Sequence, residues 1–264
     1  MKMLASMAVL TALAAPALAD DKETLTQALS KVATLESYAF KGETDFQSAL
    51  GNAPAQIPSM DGKYQKDSGL YIKSDKGEIF RKGDRVFVKQ GSEDWKDAAQ
   101  FQPPAPAEGD KPNRNRARGA LFGRMMLKNL KAPHEELGEL AKGFKEVKKG
   151  EKTEKIGEIE CSQYSGDLTE EAMKGSPLGR FLTQFGAGAN ADTKGSARVW
   201  VDGAGNVVIY EVVTKISVEL QGNQIDFSMT RRSELTGAGK TKVEVPEAVQ
   251  KLLNAPLKTE EKKE

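Results

Sequence analysis

Residues 197–220, ARVWVDGAGNVVIYEVVTKISVEL, alternate apolar and polar side chains for longer than an ordinary strand requires. The turn is expected at Asp202 to Asn206. Beyond it, Val208, Tyr210, Val212, Thr214, Ile216 and Val218 should share one face, with Glu211, Lys215, Ser217 and Glu219 on the other. A dozen residues at about 3.3 Å each make a strand of roughly 40 Å, which must twist and curve. Gly222-Asn223 then turns the chain into QIDFSMTRRSEL, where Ile225, Phe227 and Met229 alternate with Asp226, Ser228 and Thr230. A chain with this hairpin is committed to a large antiparallel sheet, and its apolar face has to be covered.

The remaining elements fit around such a sheet. In KETLTQALSKVATLESY, residues Leu25, Ala28, Leu29, Val32 and Leu35 fall at helical spacing behind acidic residues, which predicts an amphipathic N-terminal helix. From Tyr38 the period becomes two, with Tyr38, Phe40 and Phe46 at strand-like positions. Turn dipeptides at Ser68-Gly69, Lys76-Gly77, Gly83-Asp84 and Gly91-Ser92 then divide a meander of short strands around Tyr64, Leu70 to Ile72, Ile79-Phe80 and Val86 to Val88. Lys63, Lys73, Arg81 and Lys89 alternate along these strands, as in a sheet wet on one side. Residues 102–118 are rich in proline and arginine and read as an excursion within one domain spanning 20–257. A helix over 117–131 and a second from Pro133 follow, the latter with Glu135 and Glu136 in its first turn. Residues 144–168 hold two or three strands, and a helix is expected from about Thr169 toward Phe185. PEAVQKLL is a last short helix, and 258–264 is a solvated tail. The fold class is α+β: a large curved antiparallel sheet, an unclosed β-barrel, covered on its concave face by helices.

The first nineteen residues combine Lys2, an apolar run from Met3 to Ala15, and a small-x-small ending at Ala17-Leu18-Ala19. They read as a secretory signal cleaved near Ala19, too short to be a membrane span, so the mature chain is expected in the periplasm or secreted. With that segment gone the acidic and basic side chains balance, which argues against nucleic acid as a partner. The single cysteine, Cys161, leaves no internal disulfide, so packing must hold the fold. Enzyme chemistry has little to draw on. Cys161 alternates with Ile159 and reads as a buried small residue, and the single histidine, His134, reads as a solvent-facing residue beside an acidic helix start. Two such residues cannot make a metal site, no phosphate-binding glycine pattern is present, and no spacing among the carboxylates selects a catalytic pair. No catalytic residue, metal or cofactor is therefore expected. Arg114, Arg116, Arg118 and Arg124 either form a solvated edge or touch anionic head groups.

The opening LTQALSKVATLESYAFKGETDF, the strand-to-helix segment YSGDLTEEAM, and ARVWVDGAGNVVIYEVV with its Trp-Val-Asp ending and long return strand resemble the periplasmic lipoprotein-carrier (LolA-like) superfamily, which includes LppX/LprG-type lipid carriers and RseB-type sensors. The resemblance implies an unclosed barrel with helices as a lid and acyl chains held between sheet and lid. The chain departs from the pattern in lacking the lipidated cysteine of the mycobacterial members, and in residues 102–118. Two functions follow as expectations: a soluble exported carrier of lipid or lipoprotein acyl chains, with transient membrane-surface contact, or an envelope protein-interaction or sensory module of the same fold. Candidate lipid-binding residues are Leu121 and Met125 on helix 117–131, and Val208, Tyr210, Val212, Ile216, Phe227 and Met229 on the long strands; each either lines a hollow or packs as dry core. A fully buried sixteen-carbon chain would gain at most roughly 12 kcal/mol at about 0.8 per methylene.

Overall fold

The computed structural model describes residues 20–48, 57–100, 130–174, 176, 191–220 and 223–255. Among these, eleven strands form one antiparallel sheet: β1 (Ser37–Ser48), β2 (Ile57–Gln65), β3 (Gly69–Ser74), β4 (Gly77–Lys82), β5 (Arg85–Gln90), β6 (Lys96–Asp97), β7 (Lys148–Ile156), β8 (Ile159–Asp167), β9 (Ala191–Asp202), β10 (Val207–Leu220) and β11 (Asn223–Thr236). The helices are α1 (Asp21–Ala33), α2 (Pro133–Gly143), α3 (Glu170–Lys174) and α4 (Glu247–Asn254). The spatial order is β6-β5-β4-β3-β2-β1-β11-β10-β9-β8-β7, so the edges β6 and β7 do not meet and the sheet stays open, as expected.

Local chemistry explains the wings. The meander turns fall where the glycines predicted them, and Gly83 takes the left-handed φ of +57° that the β4–β5 turn requires. At the β9–β10 turn, Asp202 accepts hydrogen bonds from the backbone N–H groups of Ala204 (2.9 Å) and Asn206 (2.8 Å), which fixes the hairpin. The first strand pairs with the last, from Ala39↔Thr236 to Ser48↔Phe227, and this long-range contact joins the two wings. β7 is exposed along almost its whole length, and its lysines and glutamates blunt an edge that would otherwise recruit other strands.

The two faces are covered differently. Leu25, Ala28, Leu29 and Val32 of α1 and Leu137 and Leu140 of α2 pack on one face, the inner one, in a cluster with Tyr38, Phe40, Leu70, Tyr164, Val199 and Tyr210. The outer face of β4 and β5 carries Phe80 and Phe87, covered by Val249, Leu252 and Leu253 of α4. Arg85 holds α4 by donating to its last carbonyls, at 2.9 Å to Leu252 and 3.0 Å to Leu253, where the helix dipole favours a cation.

Two sequence expectations change, and a third is tested only in part. Val207 pairs with Val201 and Ile209 with Trp200, so Val208 is the extra residue of a β-bulge. The insert moves Val208 off the inner face: with Ile209 it joins Trp200 and Cys161 in an apolar cluster on the outer side. The helix expected over 117–131 lies mostly outside the described residues, and Leu130 and Lys131, which are described, are not helical. Of the helix expected from Thr169, residues Glu170–Lys174 are helical and 177–190 lie outside the described residues. Cys161 is buried on a strand, as the alternation predicted.

Candidate functional site

Register divides the inner wall into successive rungs, because residues directly opposite each other in paired strands share a face. One rung runs Val199–Tyr210–Ser233–Gly42, the next Ala197–Val212–Arg231–Thr44, the third Gly195–Thr214–Met229–Phe46, and the fourth Thr193–Ile216–Phe227–Ser48. The near half, as far as the Val212 rung, belongs to the cluster closed by α1 and α2. Leu25, Leu29, Leu137 and Val199 there are fully buried, so this half is dry core.

A polar seam ties the first turn of α2 to that core. Glu136 accepts a hydrogen bond from the Tyr210 hydroxyl at 3.0 Å and an ion-paired contact from Arg231. Glu135 accepts from Arg81 at 2.6 Å and from the Ala132 N–H at 2.6 Å, satisfying one free donor at the helix start, while Arg81 also donates to the Leu130 carbonyl. His134 is not the solvent-facing residue the sequence suggested. The Tyr38 hydroxyl oxygen accepts from its backbone N–H at 3.2 Å and lies 2.7 Å from its Nδ1, and the Tyr64 ring packs tilted against the imidazole at 4.2 Å between centroids. Burial pushes the Tyr38 and Tyr210 hydroxyls well above the ordinary phenol range and lowers the His134 imidazole, with Glu135 opposing the latter shift. Arg231 is lowered to about 10 by burial, and its Nε has no hydrogen-bond partner. These groups latch a helix to a sheet. The one thiol, Cys161, lies on the other face, and burial raises its pKa.

The far half differs. Ile216, Val218 and Met229 are buried and pack with the half-buried Phe46, Ile225 and Phe227, and all six members of this cluster sit on strands. Phe46 and Phe227 stack at 6.1 Å. The wall here runs on from the Gly195–Thr214 rung to Val218↔Ile225, four residues along β10, or roughly 13 Å. The sequence-predicted candidates therefore separate. Ile216, Phe227 and Met229 meet in this far cluster; Tyr210 and Val212 belong to the cluster closed by α1 and α2; Val208 is on the opposite face; Leu121 and Met125 lie outside the described residues.

No family model matches the chain, and no curated protein matches it. Among solved structures it is similar to the Mycobacterium tuberculosis lipoprotein LppX, at 14% identity and a TM-score of 0.49, over 86% of this chain and 98% of that one. It is also similar to LprF from Mycobacterium bovis (14% identity, TM-score 0.44, covering 86% and 96%) and to a LolA superfamily protein from Nitrosomonas europaea (9%, 0.28, covering 85% and 96%).

The outer face offers a different surface. A concavity of about 730 Å³ lies between Lys145, Lys148, Asp167, Ser196, Arg198 and Lys215, and another of about 530 Å³ between Gln47, Asp192, Lys194, Lys215, Asp226 and Ser228. Charged and hydroxyl groups line both, together with Ala197 and Val213 in the first and Ile216 and Phe227 in the second. Beside them Arg198 and Arg232 both lean on the Trp200 ring, at 5.8 and 5.4 Å, and both pair with the buried Glu211. Among the described residues no helix is long and apolar enough to cross a membrane, and no group of three or more metal-ligating side chains occurs.

Sequence reasoning missed the seam because its partners are far apart in the chain: Tyr38 and His134 by 96 residues, Glu136 and Arg231 by 95. A signal was present in the consecutive Arg231-Arg232 of an alternating strand, since one of two neighbours must point inward.

Proposed function

We propose that this chain is an exported carrier, freed of residues 1–19, that holds a lipid or lipoprotein acyl chain non-covalently against the far inner wall of its sheet. One observation carries the reading. The six-member apolar cluster of Phe46, Ile216, Val218, Ile225, Phe227 and Met229 continues the wall beyond the half that α1 and α2 fill, and it is built from strands alone among the described residues. A strand surface of roughly 13 Å suits part of an extended hydrocarbon chain, and each methylene it buries stabilises the complex by about 0.8 kcal/mol. Release then requires that part of this surface be given up, through exchange with a membrane surface or an acceptor protein.

Native mass spectrometry of the protein purified from the envelope without detergent tests the reading. A co-purifying lipid, lost when Phe227→Glu places a charge in the cluster, supports it; bare protein that also fails to take up acyl chains from vesicles overturns it. The outer-face concavities favour a second reading, an envelope interaction module that grips a partner by its charged sheet face. Bare protein whose partner capture is lost on Lys215→Glu would favour that second reading.

A further inference from the structure

Register gathers cations on the outer face of the strands from β7 to β10. Lys148 pairs with Ser165, Ser165 with Arg198, and Arg198 with Glu211, which makes one rung. The next runs Asp167–Ser196–Val213, and the one after holds Lys194 directly opposite Lys215. Like charges opposite each other in paired strands destabilise a sheet unless an anion offsets them. Lys194 has its anion in Asp192, at 2.9 Å. Among the described residues no ion pair holds Lys145, Lys148 or Lys215. These three lysines and Arg198 line the concavity of about 730 Å³, where the only carboxylates are those of Glu146 and Asp167, so cations outnumber anions two to one in a chain of net charge +1. Arg198 is held in place there, its Nε donating to the buried Glu211 at 3.0 Å and its guanidinium lying over Trp200. Ser165 and Ser196 add hydroxyl donors, and the half-buried Val213 sits between the Glu211 and Lys215 positions of β10 as an apolar floor. A hollow of this volume holds a small organic molecule.

We propose that this concavity is a binding site for a phosphate monoester, its phosphate held by Arg198, Lys148 and Lys215 and its organic part resting on Val213. A phosphate monoester carries close to two negative charges at neutral pH and several acceptor oxygens, which matches a guanidinium fork, unpaired ammonium groups and hydroxyls; a carboxylate would leave lysines unmatched. The site is independent of the acyl reading, because Lys215 and Ile216 are neighbours on β10 that face opposite sides of the sheet. The same phosphate chemistry is found in free esters and in the head group of phosphatidic acid.

Calorimetric titration of the full chain, kept free of phosphate buffer, with glycerol phosphate and with acetate, and co-sedimentation with phosphatidylcholine vesicles with and without phosphatidic acid, test the site. Lys148→Gln and Lys215→Gln change exposed side chains, and Lys63→Gln removes the same charge from the other wing. Glycerol phosphate should bind at least tenfold more tightly than acetate, and each of the first two substitutions should weaken it on the order of tenfold while Lys63→Gln leaves it unchanged. Binding of phosphatidic acid vesicles alone, lost in the same two variants and kept in the third, supports the site with a head group as the source. Binding of neither phosphate, equal binding of acetate, or equal losses in all three variants overturns the site and leaves the acyl reading standing.

Discussion

Replacing Glu136 by Gln should be among the most damaging isosteric changes in the molecule, although it alters neither volume nor, to first order, the hydrogen bond from Tyr210. Glu136 and Arg231 form an ion pair in which the side chains keep 16% and 26% of their surface exposed. Removing one partner of a buried pair costs about 3–5 kcal/mol because the other charge is stranded, and residual solvent access to this pair brings the expectation down to about 2–3 kcal/mol. The stranded guanidinium is poorly placed to find relief, since its Nε already lacks a partner. For a chain of this size about 2–3 kcal/mol lowers Tm by roughly 5–10 °C. Arg231→Met alone should cost less, about 1–2 kcal/mol, because the abandoned carboxyl can take up a proton and still accept from Tyr210. The double variant, with no charge left inside, should return to within about 1 kcal/mol of wild type, so the cycle carries a large coupling energy. Urea unfolding of the four proteins at neutral pH measures every corner. The reasoning is refuted if Glu136→Gln loses less than about 0.5 kcal/mol, or if the double variant loses the sum of the single ones.

Three further outcomes follow from the geometry. Val212→Arg should unfold the protein or cost more than about 4 kcal/mol, since Val212 sits in the core under the helices, whereas Phe227→Glu in the half-buried far cluster should lose bound lipid at a cost below about 2 kcal/mol; equal losses in thermal scans would erase the distinction drawn between the two halves. Gly62→Ala would place a Cβ 2.0 Å from Cζ of Phe40, so it should destabilise by about 1–3 kcal/mol and be partly rescued by Phe40→Leu, and an unchanged urea midpoint would show that the ring moves freely. Burial holds the His134 imidazole below its ordinary pKa, so the unfolded chain takes up this proton at a higher pH than the folded chain does. Its contribution to stability is then complete above about pH 6.5 and declines as pH falls from there toward the folded-state value. Urea midpoints measured between about pH 8 and 5.5 should decline for wild type and stay flatter for His134→Gln; because the chain has one histidine, equal slopes would remove His134 as the cause.

Much of this fold was legible because its signals are local. The α1 stripe at Leu25, Ala28, Leu29 and Val32, the glycine-marked turns and the alternation of β9 to β11 each depend on neighbours a few residues away. The bulge at Val208 was not legible: in VVIY every residue suits either face, so no side chain marks where the period slips. Nor could alternation tell core from candidate site. Val212 and Ile216 occupy equivalent positions on one strand, and among the described residues what separates them is how far α1 and α2 reach.

The one informative polar residue on that wall is Arg231. In SMTRRSEL the alternation sends Arg232 outward, where it leans on Trp200 and pairs with Glu211, and it sends Arg231 inward between an apolar rung and the Met229 rung. An inward arginine requires an anionic partner from whatever covers the sheet, and the acidic first turn of α2 provides it in Glu136. The same pair that anchors α2 therefore also limits it. A helix whose first turn is tied to the Val212 rung does not place that turn over Ile216, so the ion pair fixes how far along the wall α2 reaches.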